Sequence, residues 1–453
     1  MSDSSLTRRR LLCRVGAAAG ALVAGSRLKR LSMSASQPLT ARAATSQPLR
    51  IGVVVPSRTG LTPVRAASQQ VAGQAALQGA IMAGEELGQV AGMLDKQLEV
   101  LVSSAPTAEA AKRAAERLVD LEGVFALVGG FDVATCQALS GVADEAEVPF
   151  LNIGCASDAL RGASCRRFTF HFEASAAMYL DALADWFVRE GIRQWFFVTA
   201  ATDEGRALLA RGRYALERRH WGGKEAGSAE VREDEPEFGR ALDAIARARP
   251  DLVVLLLGAV AQLDFLGQYE AAGLSYPVTG FPEAVAQTRT FFAAARNTAP
   301  RAGAGHRAVL WEASLDDYGG RELNARYRER WGMPMDPSAW AAWEAVKILW
   351  EAASFAGTTD GRALVQYLEA PDTTFDVHKG IGVSFRPWDH QLRQTLYLVK
   401  VNDRAESAWD LATLAGELPE THRPGFSPNE MLDQIGDLAN RSQCHFGSGS
   451  SGR

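Results

Sequence analysis

Short apolar runs that stop at glycine alternate with helix-patterned segments along this chain, and the pattern is clearest in residues 125–167. One apolar run ends at Gly130, a segment with helical spacing follows, and a second apolar run ends at Gly154. This order of strand, helix and strand predicts one βαβ unit. Ligands of open parallel sheets lie beyond the carboxyl ends of the strands. We therefore expect residues 130–135 and 154–158 to form adjacent lips of a pocket.

Length and charge limit the classes of protein that the chain can belong to. Its 453 residues are enough for two or three domains with cores of their own, and 47% hydrophobic with 22% charged residues is an ordinary globular composition. The formal net charge of -5 provides no large basic field. Nucleic acid is therefore excluded as the main partner.

The N-terminus carries an export pattern. Residues 7–12 are Thr-Arg-Arg-Arg-Leu-Leu, and a glycine-rich, weakly apolar run follows them. A membrane span needs about 20 apolar residues, and this run is shorter. The pattern is typical of a twin-arginine signal. We predict a mature protein in the periplasm.

Cysteine usage fits an oxidising compartment. Cys13 would leave with the signal, and four cysteines, which allow three pairings, would remain. No Cys-x-x-Cys motif is present and the seven histidines are dispersed. We expect disulfides, and predict no metal and no cofactor.

Two series of alternating strands and helices follow the signal. Strands are predicted at residues 49–56, 98–102, 125–130, 148–154, 195–199, 252–257 and 276–279. Helices are predicted at residues 68–87, 107–121, 176–190, 204–221, 237–247, 262–272, 321–331, 338–356 and 361–369. This alternation predicts parallel sheets covered by helices. The expected fold class is α/β, with two doubly wound parallel-sheet lobes joined by a hinge.

After Phe375 the pattern changes to short strands, expected at residues 382–385 and 394–401, which suggests that the chain crosses back between lobes. From residue 406 the sequence is irregular, and its Gly- and Ser-rich end is expected to be disordered. We expect residues 1–48 to be the signal and a linker. Lobe 1 is expected to comprise residues 49–172 together with a later segment at about 308–375, and lobe 2 to comprise residues 173–307 together with about 376–402. Residues 403–446 would form a C-terminal extension and residues 447–453 a disordered tail.

Three segments carry a resemblance to a known family. They are Ile-Gly-Val-Val-Val-Pro at residues 51–56, Gln-Gly-Ala-Ile at 78–81 and Val-Pro-Phe-Leu-Asn at 148–152. Residues 49–401 resemble the type I periplasmic solute-binding proteins of the leucine/isoleucine/valine-binding class. The resemblance implies a small-molecule ligand between the lobes and an inner-membrane ABC permease as partner.

A narrower resemblance rests on three further signatures. They are Asp-Ala-Leu-Arg-Gly at residues 158–162 with Cys165, Ser-Phe-Arg-Pro-Trp-Asp at 384–389, and Gln-Leu-Arg-Gln at 391–394. These look like the ABC-transporter substrate-binding subfamily linked to PQQ-dependent alcohol dehydrogenase systems. The resemblance implies such a system as a partner, and it implies a disulfide between Cys165 and Cys444.

Catalytic motifs are missing from the sequence. There is no Gly-x-Ser-x-Gly elbow, no His-Glu-x-x-His and no phosphate loop. Cys155 and Ser157 follow a strand at the edge where a nucleophile would sit, yet neither has a visible partner base. We predict that the protein is not an enzyme, and keep a hydrolase only as a third alternative.

The candidate ligand residues of lobe 1 are those of the two lips. They are Asp132, Thr135, Gly154, Cys155 and Ser157. Members of the resembled class hold the carboxylate of an amino-acid ligand at these lips. The carboxylate of Asp132 would repel an anion, so it favours a cationic, neutral or hydroxylated ligand. The alternative for Asp132 is the N-cap of the following helix.

The candidate ligand residues of lobe 2 follow its strands. They are Glu204, Ala259, Phe281 and Glu283. Members of the resembled class that bind amino acids usually present an aromatic residue and a carboxylate after strands of lobe 2. Glu283 is at the position of this carboxylate, whereas Glu204 is at the position of the aromatic residue. Phe281 would supply an apolar wall or belong to the core.

The segment at residues 385–394 allows two interpretations. It is a tight turn in which Pro387 fixes φ and Asp389 bonds its own backbone, or a recognition surface or hinge in which Trp388 packs and Arg386 meets an acid.

Besides the hydrolase, two functions remain open. The first is the solute-binding component of an ABC importer, with a link to alcohol oxidation. The second is a periplasmic sensor or accessory protein of the same fold whose partner is a protein.

Overall fold

The computed structural model of the chain describes residues 47–57, 64–218, 222–235, 237–380, 382–419 and 425–446. The predicted export signal and the predicted disordered tail lie outside these residues. In the described part of the chain, no helix has both the length and the apolar character needed to cross a membrane.

The first lobe is built on a five-stranded parallel sheet in the order β2-β1-β3-β4-β5. Its strands are β1 (Leu49–Val55), β2 (Leu98–Ser104), β3 (Ala126–Gly129), β4 (Phe150–Asn152) and β5 (Thr169–His171). Its connecting helices are α1 (Val64–Met93), α2 (Ala108–Asp120) and α3 (Val133–Glu145). Strands β1, β3 and β4 contain long runs of buried residues because helices cover both faces of the sheet.

The second lobe repeats the arrangement with a four-stranded parallel sheet in the order β7-β6-β8-β9. Its strands are β6 (Gln194–Ala200), β7 (Lys224–Val231), β8 (Leu252–Leu256) and β9 (Val278–Gly280). Its helices are α4 (Ala176–Arg189), α5 (Asp203–Arg218), α6 (Gly239–Ala248), α7 (Ala259–Ala271) and α8 (Arg289–Thr298). Two parallel-sheet lobes confirm the predicted fold class.

A third, antiparallel sheet follows lobe 2. It contains β10 (His306–Val309), β11 (Leu396–Val401) and β12 (Ala412–Leu418) in sequence order. The hydroxyl of Thr279 in β9 donates to the carbonyl of His306 in β10 at 2.9 Å, which joins this sheet to lobe 2. Between β10 and β11 lie α9 (Gly320–Trp331), α10 (Pro337–Ala356) and α11 (Gly361–Glu369).

Helix α10 packs against α1 of lobe 1. A Cβ atom at Gly79 in α1 would lie 2.0 Å from the carbonyl oxygen of Ala339 in α10, so the two backbones touch where only glycine fits. The chain passes from lobe 1 to lobe 2 between β5 and α4. Since α10 packs on lobe 1 while β10 and β11 pair beside lobe 2, the chain passes between the lobes twice more.

Several predictions about local structure were wrong. The sequence beyond residue 406 is not irregular, because it contains β12 and α12 (Pro428–Leu432). Strands β7 and β10 and helix α8 were not predicted. The strand predicted at residues 382–385 is reduced to the isolated bridges of Val383 with Phe375 and of Phe385 with Leu392. Strand β7 lies at an edge and is half exposed, so it lacks the continuous apolar run of a central strand.

Candidate functional site

Asp132 caps helix α3 at the first lip of lobe 1. Its carboxylate accepts the backbone N–H of Thr135 at 2.7 Å, and the Thr135 hydroxyl accepts the N–H of Asp132 at 3.2 Å, which completes a capping box. The other carboxylate oxygen accepts the side-chain amide of Gln69 in α1 at 3.2 Å. The N-cap alternative for Asp132 is therefore present in the structure. Thr135 is buried, and its hydroxyl is used inside the lip.

The second lip is held by a buried asparagine at the end of β4. The Asn152 amide donates to the carbonyl of Cys155 at 2.8 Å, and its oxygen accepts the N–H of Cys155 at 3.0 Å. A Cβ atom at Gly154 would lie 2.7 Å from the ring of Phe131 on the first lip, so glycine allows the two lips to pack together. The predicted adjacency of the two lips is present.

Ser157 and the Asp158–Arg161 turn lie where lobe 1 meets lobe 2. The Asp158 carboxylate accepts the N–H of Ala177 in the first turn of α4 at 3.0 Å, and its burial raises its pKa to about 6. The guanidinium of Arg161 donates to the carbonyls of Ser157, at 2.9 Å, and Glu173, at 2.6 Å. The signature at residues 158–162 thus joins the lobes.

Five buried side chains form a connected set across the lobe junction, which we call the hinge network. Its members are Arg161, Glu173, Tyr179, Gln287 and Gln391. Arg161 donates to the Gln391 side-chain oxygen at 2.7 Å, and the Gln391 amide donates to the Glu173 carbonyl at 3.0 Å. Tyr179 donates to the Glu173 carboxylate at 2.6 Å, and Gln287 donates to the Tyr179 hydroxyl at 3.0 Å. The network therefore connects the crossing between β5 and α4 with the returning segment at Gln391.

The segment at residues 385–394 combines features of both interpretations. Phe385 pairs with Leu392, and the Asp389 carboxylate accepts the N–H of Gln391 at 3.0 Å, as in a turn. The buried guanidinium of Arg386 also meets an acid, because it donates to Asp433 at 2.8 Å. This ion pair fixes the C-terminal extension to the turn.

Cys165 and Cys444 are joined by a disulfide, the pair that the family resemblance implies. It links the loop before β5 to the C-terminal extension. Phe446, two residues beyond, stacks on the ring of His390 with centroids 4.0 Å apart. The sequence alone left three pairings open. Cys136 and Cys155 are free and buried.

In lobe 2, two carboxylates converge on the first turn of helix α7. The N–H of Ala259 donates to Glu283 at 2.5 Å, and the N–H of Gly258 donates to Glu233 at 2.6 Å. Both carboxylates lie within 4 Å of the point where a side chain at Gly258 would begin. A helix N-terminus attracts negative charge, so the two glutamates occupy the place of an anion. Glu233 was missed because the strand before it, β7, was not predicted.

The other two candidates of lobe 2 differ in exposure. Glu204 is exposed in the first turn of α5. Phe281 is 8% exposed and meets the ring of Tyr179 edge-on, with centroids 6.2 Å apart. The Phe281 carbonyl accepts the side-chain amide of Gln262 at 2.8 Å. Phe281 thus belongs to the packed interior of lobe 2.

A cavity of about 1110 Å³ lies between α3, α11 and the C-terminal extension. None of the predicted ligand residues lines it. Its three arginines are each paired with a carboxylate: Arg166 with Asp144, Arg167 with Glu369 and Arg362 with Glu147. Among the described residues, no group of three or more His, Cys, Asp and Glu side chains could hold a metal ion.

Solved structures share this fold across nearly the whole chain. An amino acid ABC transporter substrate-binding protein from Pseudomonas fluorescens is 17% identical with a TM-score of 0.72, covering 89% of this chain and 100% of that one. A branched chain amino acid ABC transporter periplasmic ligand-binding protein from Burkholderia xenovorans is 18% identical, with a TM-score of 0.72. The match covers 87% of this chain and 99% of that one.

A third structure was solved with a ligand. It is the solute binding protein of an ABC transporter from Rhodopseudomonas palustris in complex with 3,4-dihydroxybenzoic acid. It is 19% identical with a TM-score of 0.66, and the match covers 83% of this chain and 99% of that one. Identities at this level establish the fold alone. A search of curated proteins finds no match.

The sequence profile of the periplasmic binding protein family matches residues 48–406, which is most of the chain. Family membership implies a periplasmic protein. The chain therefore belongs to the periplasmic binding protein family, with the type I fold of the leucine-binding-like ABC substrate-binding proteins.

Proposed function

We propose that this protein is the solute-binding component of an ABC importer, exported by its twin-arginine signal, and that it captures a small polar metabolite between its lobes. The observation that carries the proposal is the common position of the candidate residues in the two parallel sheets. In each lobe, the candidate residues follow the carboxyl ends of parallel strands, where ligands of such sheets bind. In this proposal lobe 1 comprises residues 49–172 with about 308–375, and lobe 2 comprises residues 173–307 with about 376–402.

The charges at the lips support a ligand with a cationic or hydroxylated group. Asp132 lies at the lip of lobe 1, and Glu283 and Glu233 already occupy the N-terminus of α7 in lobe 2. A ligand whose only polar group is a carboxylate would be repelled by these side chains, and the N-terminus of α7 is already occupied by two of them. Amino acids and hydroxylated aromatic acids head the list of compounds to test, because proteins with this fold carry such compounds in their names.

Calorimetry of the mature protein against amino acids, amines, alcohols, aldehydes and short acids tests this proposal. We expect saturable binding of at least one compound that carries an amino or hydroxyl group. A panel in which only unsubstituted carboxylates bind would contradict the proposed charge preference. The link to PQQ-dependent alcohol oxidation is part of the proposal, and binding of an alcohol or aldehyde from this panel would support it.

The second candidate function is a sensor or accessory protein of the same fold. It is favoured by Glu204, which stands where amino-acid binders of the class present an aromatic residue. Affinity capture of a dehydrogenase or a sensor kinase from the periplasm, with no heat of binding across the compound panel, would favour this function over import.

A further inference from the structure

Two cysteines of lobe 1 lie near each other at the two lips, one in a helix and the other in a loop. Cys136 belongs to the first turn of α3, and Cys155 follows Gly154 on the second lip. Both side chains are buried, and the two thiols are close enough for Cys155 to raise the pKa of Cys136. Because Cys165 and Cys444 are already joined, this is the one pairing left for the four cysteines that follow the predicted signal.

Gly130 and Asn152 lie between the two cysteines and contact both of them. A Cβ atom at Gly130 would lie 2.8 Å from the sulfur of Cys136 and 3.4 Å from the side-chain oxygen of Asn152. The same oxygen accepts the N–H of Cys155 at 3.0 Å. Asn152 therefore fixes the position of Cys155 relative to the loop that lies on Cys136.

We propose that Cys136 and Cys155 are a redox-modification site, at which a second disulfide forms reversibly and clamps the two lips of lobe 1 together. The oxidant is a disulfide of the exported compartment, either a small molecule or an oxidoreductase. The Cys155 thiol loses its proton and attacks this disulfide, which releases one thiol and leaves a mixed disulfide on Cys155. The Cys136 thiol then loses its proton, attacks the Cys155 sulfur and releases the second thiol.

The reaction oxidises two cysteine thiols and reduces one disulfide to two thiols, so electrons and protons balance. Burial and the neighbouring thiol raise the pKa of Cys136 well above its usual value. The Cys136 thiol is therefore protonated at rest. Because both cysteines are buried, exchange needs a transient opening of the lips. The chemistry does not depend on the proposed function; only the effect on ligand binding rests on it.

The sequence provides a direct mass assay. No Lys or Arg lies between Arg117 and Arg161, so trypsin releases Cys136 and Cys155 in one peptide, whereas Cys165 and Cys444 fall in two others. The mature protein is incubated with oxidised or reduced glutathione, unfolded in the presence of an alkylating reagent, and digested without reduction. The Cys165–Cys444 cross-linked pair of peptides is the internal control.

After oxidised glutathione we expect the peptide with both cysteines to be unalkylated and lighter by two hydrogen atoms, and after reduced glutathione to carry two alkyl groups. Amide exchange at residues 130–136 and 153–157 should be slower in the oxidised protein. Cys136→Ala and Cys155→Ala should each abolish the mass change. If the wild-type peptide is doubly alkylated after oxidation, or carries only glutathione adducts, the proposal is overturned. This test uses the wild-type protein, so it remains valid even if the variants do not fold. Unchanged amide exchange would overturn the clamping of the lips.

Discussion

The hydroxyl of Tyr179, in the first helix of lobe 2, donates a 2.6 Å hydrogen bond to the buried carboxylate of Glu173, just beyond the last strand of lobe 1. Gln287 donates to the same hydroxyl and to the same carboxylate, at 3.0 and 3.4 Å. Any movement of the lobes about this crossing must preserve or exchange these bonds, because an unpaired buried polar group is costly. The closure proposed for ligand binding would therefore act on the same hydrogen bonds that stabilise the hinge network.

Replacing Glu173 by glutamine should change how stability depends on pH. Burial raises the pKa of Glu173 from 4.5 to about 7, against the opposing effects of Tyr179, Arg161, Gln287 and Lys379. Between these values the native state holds the proton that the unfolded chain releases. The free energy of unfolding of the wild type therefore falls as pH rises from 4.5 to 7, by up to about 3 kcal/mol.

Glutamine resembles the protonated carboxyl group and does not titrate, so the Glu173→Gln variant should not lose this part of its free energy of unfolding as pH rises. Urea unfolding from pH 4.5 to 8 should show that the Glu173→Gln variant gains stability relative to wild type as pH rises, with no further gain above pH 7. Asp158, whose pKa burial also raises, titrates in both proteins and cancels in the comparison. Glu109→Gln on the exposed face of α2 is the matched control. Parallel profiles for wild type and Glu173→Gln would contradict this prediction.

Asp132 allows the charge at the lip to be separated from its role as a helix cap. Asp132→Ala should lose about 1 kcal/mol of stability with the cap and weaken the ligand found by calorimetry. Asp132→Asn keeps a capping oxygen, so it should retain most of the stability while still weakening a cationic ligand. Asp360→Ala, which removes the N-cap of α11, is the control for capping alone. Normal ligand binding by both Asp132 variants would exclude this lip from the site.

Glu283 provides the corresponding test in lobe 2. Glu283→Gln removes a carboxylate charge from the N-terminus of α7 and should weaken a cationic ligand by about tenfold, which corresponds to roughly 1.4 kcal/mol. The control is Glu270→Gln near the other end of α7, where Glu270 accepts the N–H of Ala302 and pairs with Arg301. Calorimetric titration of the wild type, Glu283→Gln and Glu270→Gln with the same compound measures the three dissociation constants. Equal weakening by the two variants would show a general effect on lobe 2.

Cys444→Ser should release the C-terminal extension from the loop before β5. The closed loop spans 279 residues, so its loss is expected to cost about 2 to 5 kcal/mol. Melting curves in the absence of reductant should show a lower midpoint for the variant. Limited proteolysis should cut it sooner between residues 425 and 446. An unchanged midpoint would indicate that noncovalent contacts, among them the ion pairs of Asp433 with Arg386 and Arg393, hold the extension without the disulfide.

The fold class could be predicted because the central parallel strands of both lobes are buried on two faces. Such strands appear in the sequence as continuous apolar runs, for example at β8. Edge strand β7 and the antiparallel strands β10 and β12 lack that signal, since one side of each is exposed or covered by distant segments. Their pairing depends on contacts far apart in sequence, which local patterns do not encode.

The candidate site could be predicted only in part. The lips follow from strand ends, and the N-cap role of Asp132 follows from its place before a helix. The convergence of Glu233 and Glu283 on Gly258 and Ala259 could not be found, because it joins two loops that meet only in the folded lobe. The hinge network combines residues up to 230 positions apart, as in the bond between Arg161 and Gln391.

Small-angle X-ray scattering of the mature protein during titration with the compound panel tests the central claim most directly. Closure of two lobes on a ligand must make the protein more compact. We predict that at least one amino- or hydroxyl-bearing compound lowers the radius of gyration saturably, and that the Asp132→Ala and Glu283→Ala variants need more of it. A radius of gyration that no compound changes would contradict a ligand-closing clamp.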